Sequence, residues 1–154
     1  MSLSRFTLLA LLALITSACG ASLSERHQLN AALGQIDVKT GNNRAGQLFR
    51  HEIERLLSRS PAGDTRYELN TSIRLTYPKD AVDMIVRIEL YDQQTGQNVL
   101  KKTLRSSASV GGVASLYGSE AAKNNARERL SISSAQKAYR YLMLYFSRQD
   151  RPQS

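Results

Sequence analysis

Cysteine is the scarcest chemistry in this chain of 154 residues: there is one, Cys19, beside two histidines, three phenylalanines and no tryptophan. A lone thiol cannot close a disulfide within the chain. A catalytic thiol needs a base held beside it, and neither His27 nor His51 stands in such a pattern with Cys19. Both histidines read as surface residues. Cysteine and histidine at metal-ligand spacing are also missing, as are the Gly-x-Ser-x-Gly elbow and the phosphate-cradling glycine loop. "VGGVAS" (Val110 to Ser115) lacks the lysine and the spacing of such a loop. No enzyme, metal or diffusible cofactor is therefore expected. The want of Trp and Phe disfavours a large aromatic ligand pocket. "NTS" at Asn70 matches a glycosylation sequon by chance.

A long hydrophobic run is lacking too. The apolar stretch "FTLLALLALI" (Phe6 to Ile15) covers ten residues, and a spanning helix takes about twenty. Its surroundings explain it. Arg5 gives a positive start, and the small residues Thr16, Ser17 and Ala18 lead up to Cys19. That is the layout of an export signal. A signal ending in small residues and cysteine resembles the lipobox of bacterial lipoproteins, which usually carries Leu where Thr16 stands here. The resemblance implies cleavage before Cys19, an S-diacylglycerol group on its sulfur and an N-acyl group on its new amine. At about 0.8 kcal/mol per buried methylene, several acyl chains anchor a protein without a transmembrane helix.

Residues 1–18 then form the signal, residues 19–33 a lipidated tether without clear period, residues 34–148 one domain, and residues 149–154 a polar tail. The mature 136 residues suffice for one core and not for two. Removing the signal takes one basic residue from 21 and none of the 13 acidic ones, which leaves net +7. A basic exported chain favours anionic partners, either acidic membrane surfaces or a phosphorylated glycolipid, rather than nucleic acid.

Patterning gives the architecture. "GQIDVKT" (Gly34 to Thr40) reads as a short strand with Ile36 and Val38 on one face. Ala45, Leu48, Phe49, Ile53, Leu56 and Leu57 then fall at helical spacing, and "SPAGD" (Ser60 to Asp64) ends that helix. In "YELNTSIRLT" (Tyr67 to Thr76) apolar and polar residues alternate, as they do from Val82 to Tyr91, so both are half-buried strands. "DQQTGQ" (Asp92 to Gln97) turns the chain into a third, less regular strand over Asn98 to Val110. Pattern alone leaves the direction of Lys102 open. A closing helix has Ser119 as its expected N-cap, with Leu130, Ser134, Ala138, Tyr141, Leu142 and Tyr145 along one side, and "LSISS" (Leu130 to Ser134) as a place to bend. The order β-α-β-β-β-α predicts an α+β fold: a four-stranded, mainly antiparallel sheet with two helices packed on one face. Ile73, Val86, Ile88, Leu48, Leu56 and Leu142 are expected at the core's centre.

The same parity puts Arg74, Arg87, Lys101 and Arg105 on the outward side of the central strands, among Glu68, Asp83 and Glu89. Such a face is either an ordinary solvated one or a surface where arginine engages phosphate.

"NRAGQLFRHEIERLL" (Asn43 to Leu57), the three-strand meander and "LYGSEAAKNNARERLS…AYRYLMLYFSRQ" together resemble the LPS-assembly lipoprotein family LptE, in its alphaproteobacterial form, over residues 34–149. The likeness lacks the aromatic or proline-rich stretch that members often carry after the cysteine. It implies a non-enzymatic protein, lipid-anchored on the periplasmic side of the outer membrane, that plugs an LptD-like β-barrel and takes part in lipopolysaccharide transport. Arg74, Arg87, Lys101 and Arg105 would then meet lipopolysaccharide or the barrel. Gly20 also lacks the aspartate that commonly retains lipoproteins in the inner membrane. An accessory lipoprotein of another envelope lipid transporter and a protein-only structural adaptor are the readings from other classes.

Overall fold

The computed structural model describes residues 28–57, 64–111 and 115–149; Cys19, His27 and the tail after Gln149 lie outside them. The elements are α1 (28–34), β1 (Ile36–Lys39), α2 (Arg44–Leu57), β2 (Tyr67–Thr76), β3 (Ala81–Asp92), β4 (Gln97–Ser109) and α3 (Leu116–Gln149). The sheet runs β1-β2-β3-β4, with β1 parallel to β2 and the other pairs antiparallel. The α+β order anticipated from the sequence is therefore present. β1 is parallel because α2 supplies its crossover, while hairpins alone join the later strands.

One part of the expected tether is structure. Residues 28–34 are helical, and Leu33 is wholly buried in the common core with Leu29 and Ala32 packed against it. The apolar residues of "LNAAL" sit three to four apart, but so short a helix has almost no period to detect, and only tertiary packing holds it.

Local chemistry sets the turns and helix starts. Gly96 takes φ +67° in the β3–β4 hairpin, where its N–H donates to the Asp92 carbonyl at 2.8 Å. A side chain is strained in that conformation and glycine is not. Asn43 caps α2: its Oδ1 accepts from the Gly46 N–H at 2.7 Å. Gly46 is needed for close approach, since a Cβ there would lie 2.2 Å from the Gly41 carbonyl oxygen. α3 starts at Leu116, one turn before the expected cap at Ser119. Ser115 is the cap instead, its Oγ accepting from the Gly118 N–H at 3.0 Å. The serines of "LSISS" do not interrupt the helix. The Ser131 and Ser133 hydroxyls donate back to the carbonyls of Arg127 and Leu130, and the buried Ser134 hydroxyl lies 3.6 Å from Met84 Sδ.

The core lies between the helices and one sheet face. Val86, Ile88 and Leu142 are fully buried, together with Phe49, Ile53, Leu69, Met84 and Leu90. Ile73 has the expected parity but is only half-buried, packed against the core near the open end of β2. Leu48 and Leu56 are also half-buried, and Leu56 falls outside the central row because the buried stripe of α2 runs Ala45, Phe49, Glu52, Ile53, Leu57. Glu52 takes an inward place because it is partnered there. Its oxygens each accept from Arg55 at 2.8 Å, and Oε1 also accepts from Gln136 Nε2 at 3.1 Å, which ties α2 to α3. The Arg55 hydrogen bonds hold this carboxyl below its usual range. Tyr141, expected on one side of α3 with Leu130 and Leu142, is 37% exposed while those two are buried.

Candidate functional site

Helices cover one face of the sheet, and strand alternation turns the other residues away from them. Cross-strand register then decides which outward side chains meet. Arg74 pairs with Ile85, and Ile85 with Arg105, in one row across β2, β3 and β4. The next row is Ser72, Arg87 and Thr103, and the one after it Asn70, Glu89 and Lys101. Direct neighbours across strands stand about 5 Å apart and diagonal ones about 7–8 Å. Three arginines therefore surround the half-buried Ile85. Ser72, Arg74, Ile85, Arg87, Thr103 and Arg105 line a shallow hollow of about 640 Å³.

No carboxylate is among those lining residues, and Arg74, Arg87 and Arg105 have no ion pair among the described residues. Guanidinium groups present planar forks of donors suited to phosphate or carboxylate. Two hydroxyls beside them add neutral donors. Such a set can hold a multiply charged oxyanion without first breaking salt bridges.

Two neighbouring lysines are paired locally. Lys101 Nζ lies 2.8 Å from Glu89 Oε1, and Lys39 Nζ 2.7 Å from Asp37 Oδ2. The Lys39 hydrogen bond lowers the Asp37 pKa from its ordinary value, and Asp37 raises that of Lys39 in turn. Of the four cations read from the sequence, the structure brings Arg74, Arg87 and Arg105 together and draws Lys101 into a pair one row away. Glu68 accepts from the Asn70 amide at 2.8 Å, outside the hollow. Lys102 belongs to the opposite parity: it pairs with the buried Ile88 and places its ammonium 5.1 Å from the Tyr141 ring centroid.

Reading by sequence passed over Ile85 as a site residue. Its signal was available, because its place follows from setting the two hairpin registers side by side. Beyond the sheet face, Lys137, Arg140, Tyr141 and Leu144 of α3 line a second concavity with Thr103, Leu104 and Arg105 of β4. No group of three or more potential metal ligands occurs among the described residues, and no described helix is long and apolar enough to cross a membrane.

No protein-family model matches the chain, and no curated protein matches it. Solved structures do. A candidate lipoprotein from Caulobacter crescentus CB15 superposes with a TM-score of 0.65 at 20% identity, over 80% of this chain and 98% of that one. A minor lipoprotein from Acinetobacter baumannii gives 0.56 at 13% identity, over 71% and 90%. Both of these structures are described as bacterial lipoproteins. At these identities the likeness concerns the fold.

Proposed function

We propose that the chain is a non-enzymatic outer-membrane lipoprotein, held by acyl groups on Cys19. It plugs and supports assembly of an LptD-like β-barrel and takes part in lipopolysaccharide transport. The observation that carries this reading is the uncovered sheet face. A domain that buries one side of its sheet and leaves the other polar suits a barrel lumen, where strands alternate apolar residues toward lipid with polar ones inward. The hollow among Arg74, Arg87 and Arg105 adds the chemistry for the phosphates of lipid A, through charge-assisted and bidentate hydrogen bonds. Neighbours that are lipoproteins, and a sequence start laid out as a lipoprotein signal, support anchoring on the same terms. The lipid would hold the domain at the periplasmic mouth and raise its local concentration there.

Photocrosslinkers at Ser72, Arg87 and Thr103, placed in native membranes, are expected to capture the barrel. Arg87→Glu combined with Arg105→Glu is expected to weaken lipopolysaccharide binding at least about tenfold, or about 1.4 kcal/mol, without unfolding the domain. Cys19→Ala should abolish lipid attachment. If the crosslinkers capture nothing and the barrel assembles normally in cells depleted of this protein, the plug reading fails.

A further inference from the structure

We infer that the free edge of β4 is a strand-addition site for an extended segment of a partner protein whose residues alternate between apolar and acidic. The sheet has two ends. At one, β1 is a strand of only four residues. At the other, β4 runs for thirteen residues from Gln97 to Ser109 and is the terminal strand of the sheet. A terminal strand presents a row of backbone N–H and C=O groups with no ladder partner, and an added strand recovers them as hydrogen bonds.

The surroundings of that edge specify what would fit. Between β4 and α3 lies a groove of about 450 Å³, lined by the apolar side chains of Leu104, Tyr141 and Leu144 and by the cations of Arg105, Lys137 and Arg140. Leu144 is 52% exposed. An incoming strand beside β4 points alternate side chains to its two faces. Those on the helix side would enter the groove against Leu104, Tyr141 and Leu144. Those on the other side would meet Thr103, Arg105 and Lys101, the last already paired with Glu89. Apolar residues fit Leu104, Tyr141 and Leu144, and acidic residues fit Arg105 on the other side, with Lys137 and Arg140 of the groove wall adding to the attraction for an acidic segment.

Charge also selects the kind of occupant. Lys101, Lys102, Arg105, Lys137 and Arg140 make this edge basic, and edge lysines normally discourage strand pairing between copies of one protein. A second copy docked here would set cation against cation, which is destabilising at cross-strand distance. An acidic strand meets the opposite condition. The site shares only Arg105 and Thr103 with the arginine hollow, and it does not depend on a barrel or on lipopolysaccharide.

The test uses the full chain purified in detergent and a fluorescent eight-residue peptide of alternating valine and glutamate. The controls are the valine–lysine counterpart and a peptide of the same composition with its four glutamates together. The alternating acidic peptide is expected to bind at least about tenfold more tightly than either control and to slow amide exchange across residues 101–109. Arg140→Glu with Leu144→Asp should cut its affinity about tenfold. Lys137→Glu serves as a second variant should the pair fail to fold, and Arg50→Glu, on the exposed side of α2, controls for net charge and should change little. Equal binding of the lysine peptide, or binding without protection of 101–109, overturns the proposal. So does protection of the same amides by phosphatidylglycerol vesicles and not by the peptide, which would assign the groove to lipid, or a dimer crosslinked through β4.

Discussion

Replacing Gly46 with alanine sets two physical expectations against each other. By helix propensity alone, Gly→Ala in a helix stabilises by up to about 1 kcal/mol. The structure reverses the sign. A Cβ at this position would sit 2.2 Å from the Gly41 carbonyl oxygen, with Asn43 Oδ1 at 3.1 Å and the Gly41 carbonyl carbon at 3.2 Å. Carbon and carbonyl oxygen ordinarily approach no closer than about 3.3 Å, so either the helix or the 41–43 turn must move by about 1 Å. The atom in the way is backbone and cannot rotate aside. Displacement would strain the Asn43 cap, in which Gly46 N–H donates at 2.7 Å, and the bond from Thr40 Oγ1 to the Gly46 carbonyl at 3.3 Å. Overpacking costs about 1–3 kcal/mol and a lost cap about 0.5–2 kcal/mol, partly offset by the gain in propensity. Strain and cap loss are alternatives more than additions, so once the propensity gain is subtracted a net loss of about 0.5–2 kcal/mol follows. Urea unfolding followed by circular dichroism should show the midpoint falling by roughly 0.25–1 M, for a slope near 2 kcal/mol/M. A midpoint unchanged or raised would refute the close approach at Gly46.

Core substitutions should divide along the observed stripe. Leu142→Ala should cost about 2–5 kcal/mol, and the half-buried Leu56→Ala clearly less; equal losses in urea unfolding would contradict the packing. Acid stability should depend on Asp92, whose carboxyl is held below the usual carboxylate range first by its hydrogen bonds from Arg66, at 2.7 and 3.2 Å. Its folded pKa being the lower one, its stabilisation is present above the unfolded value near 3.9 and is lost as pH falls through the folded value. Asp92→Asn should therefore reduce stability at neutral pH and flatten the decline below about pH 4; an unchanged acid limb in a pH series of thermal melts would show that the pair does not contribute.

How far the molecule was legible follows from which interactions are periodic. β2 and β3 alternate cleanly because one face is buried and the other wet, and their hairpin fixes the register of both. Phe49, Ile53 and Leu57 announced α2 for the same reason, at the helical period. Signals without period were missed. Residues 28–34 hold one turn or two, fixed by Leu33 in the core, and Ser115 caps α3 through a single hydroxyl that nothing in the run "VGGVAS" distinguishes from Ser119. Glu52 was not expected inside, since its place depends on Arg55 nearby and on Gln136 from a distant helix. The candidate site was half legible. Parity selected Arg74, Arg87, Lys101 and Arg105, but only the β3–β4 register, shifted by the irregularity at Leu90 and Tyr91, determines who stands beside whom. It also shows that Glu89 takes Lys101 away.

Alternation along the strands has a consequence for how such a protein changes over time. Stability and recognition occupy alternate letters of the same segments: Val86 and Ile88 belong to the core, while Arg87 between them faces out. Replacing an outward residue usually changes stability by no more than about 0.5 kcal/mol, so that set can drift or be reselected while the inward set is held by packing. Relatives can then keep one scaffold and diverge in what they bind. A likeness in fold at 13–20% identity is what this division permits. The uncovered face, and not the core beneath it, is where a lineage of such domains would record a change of partner.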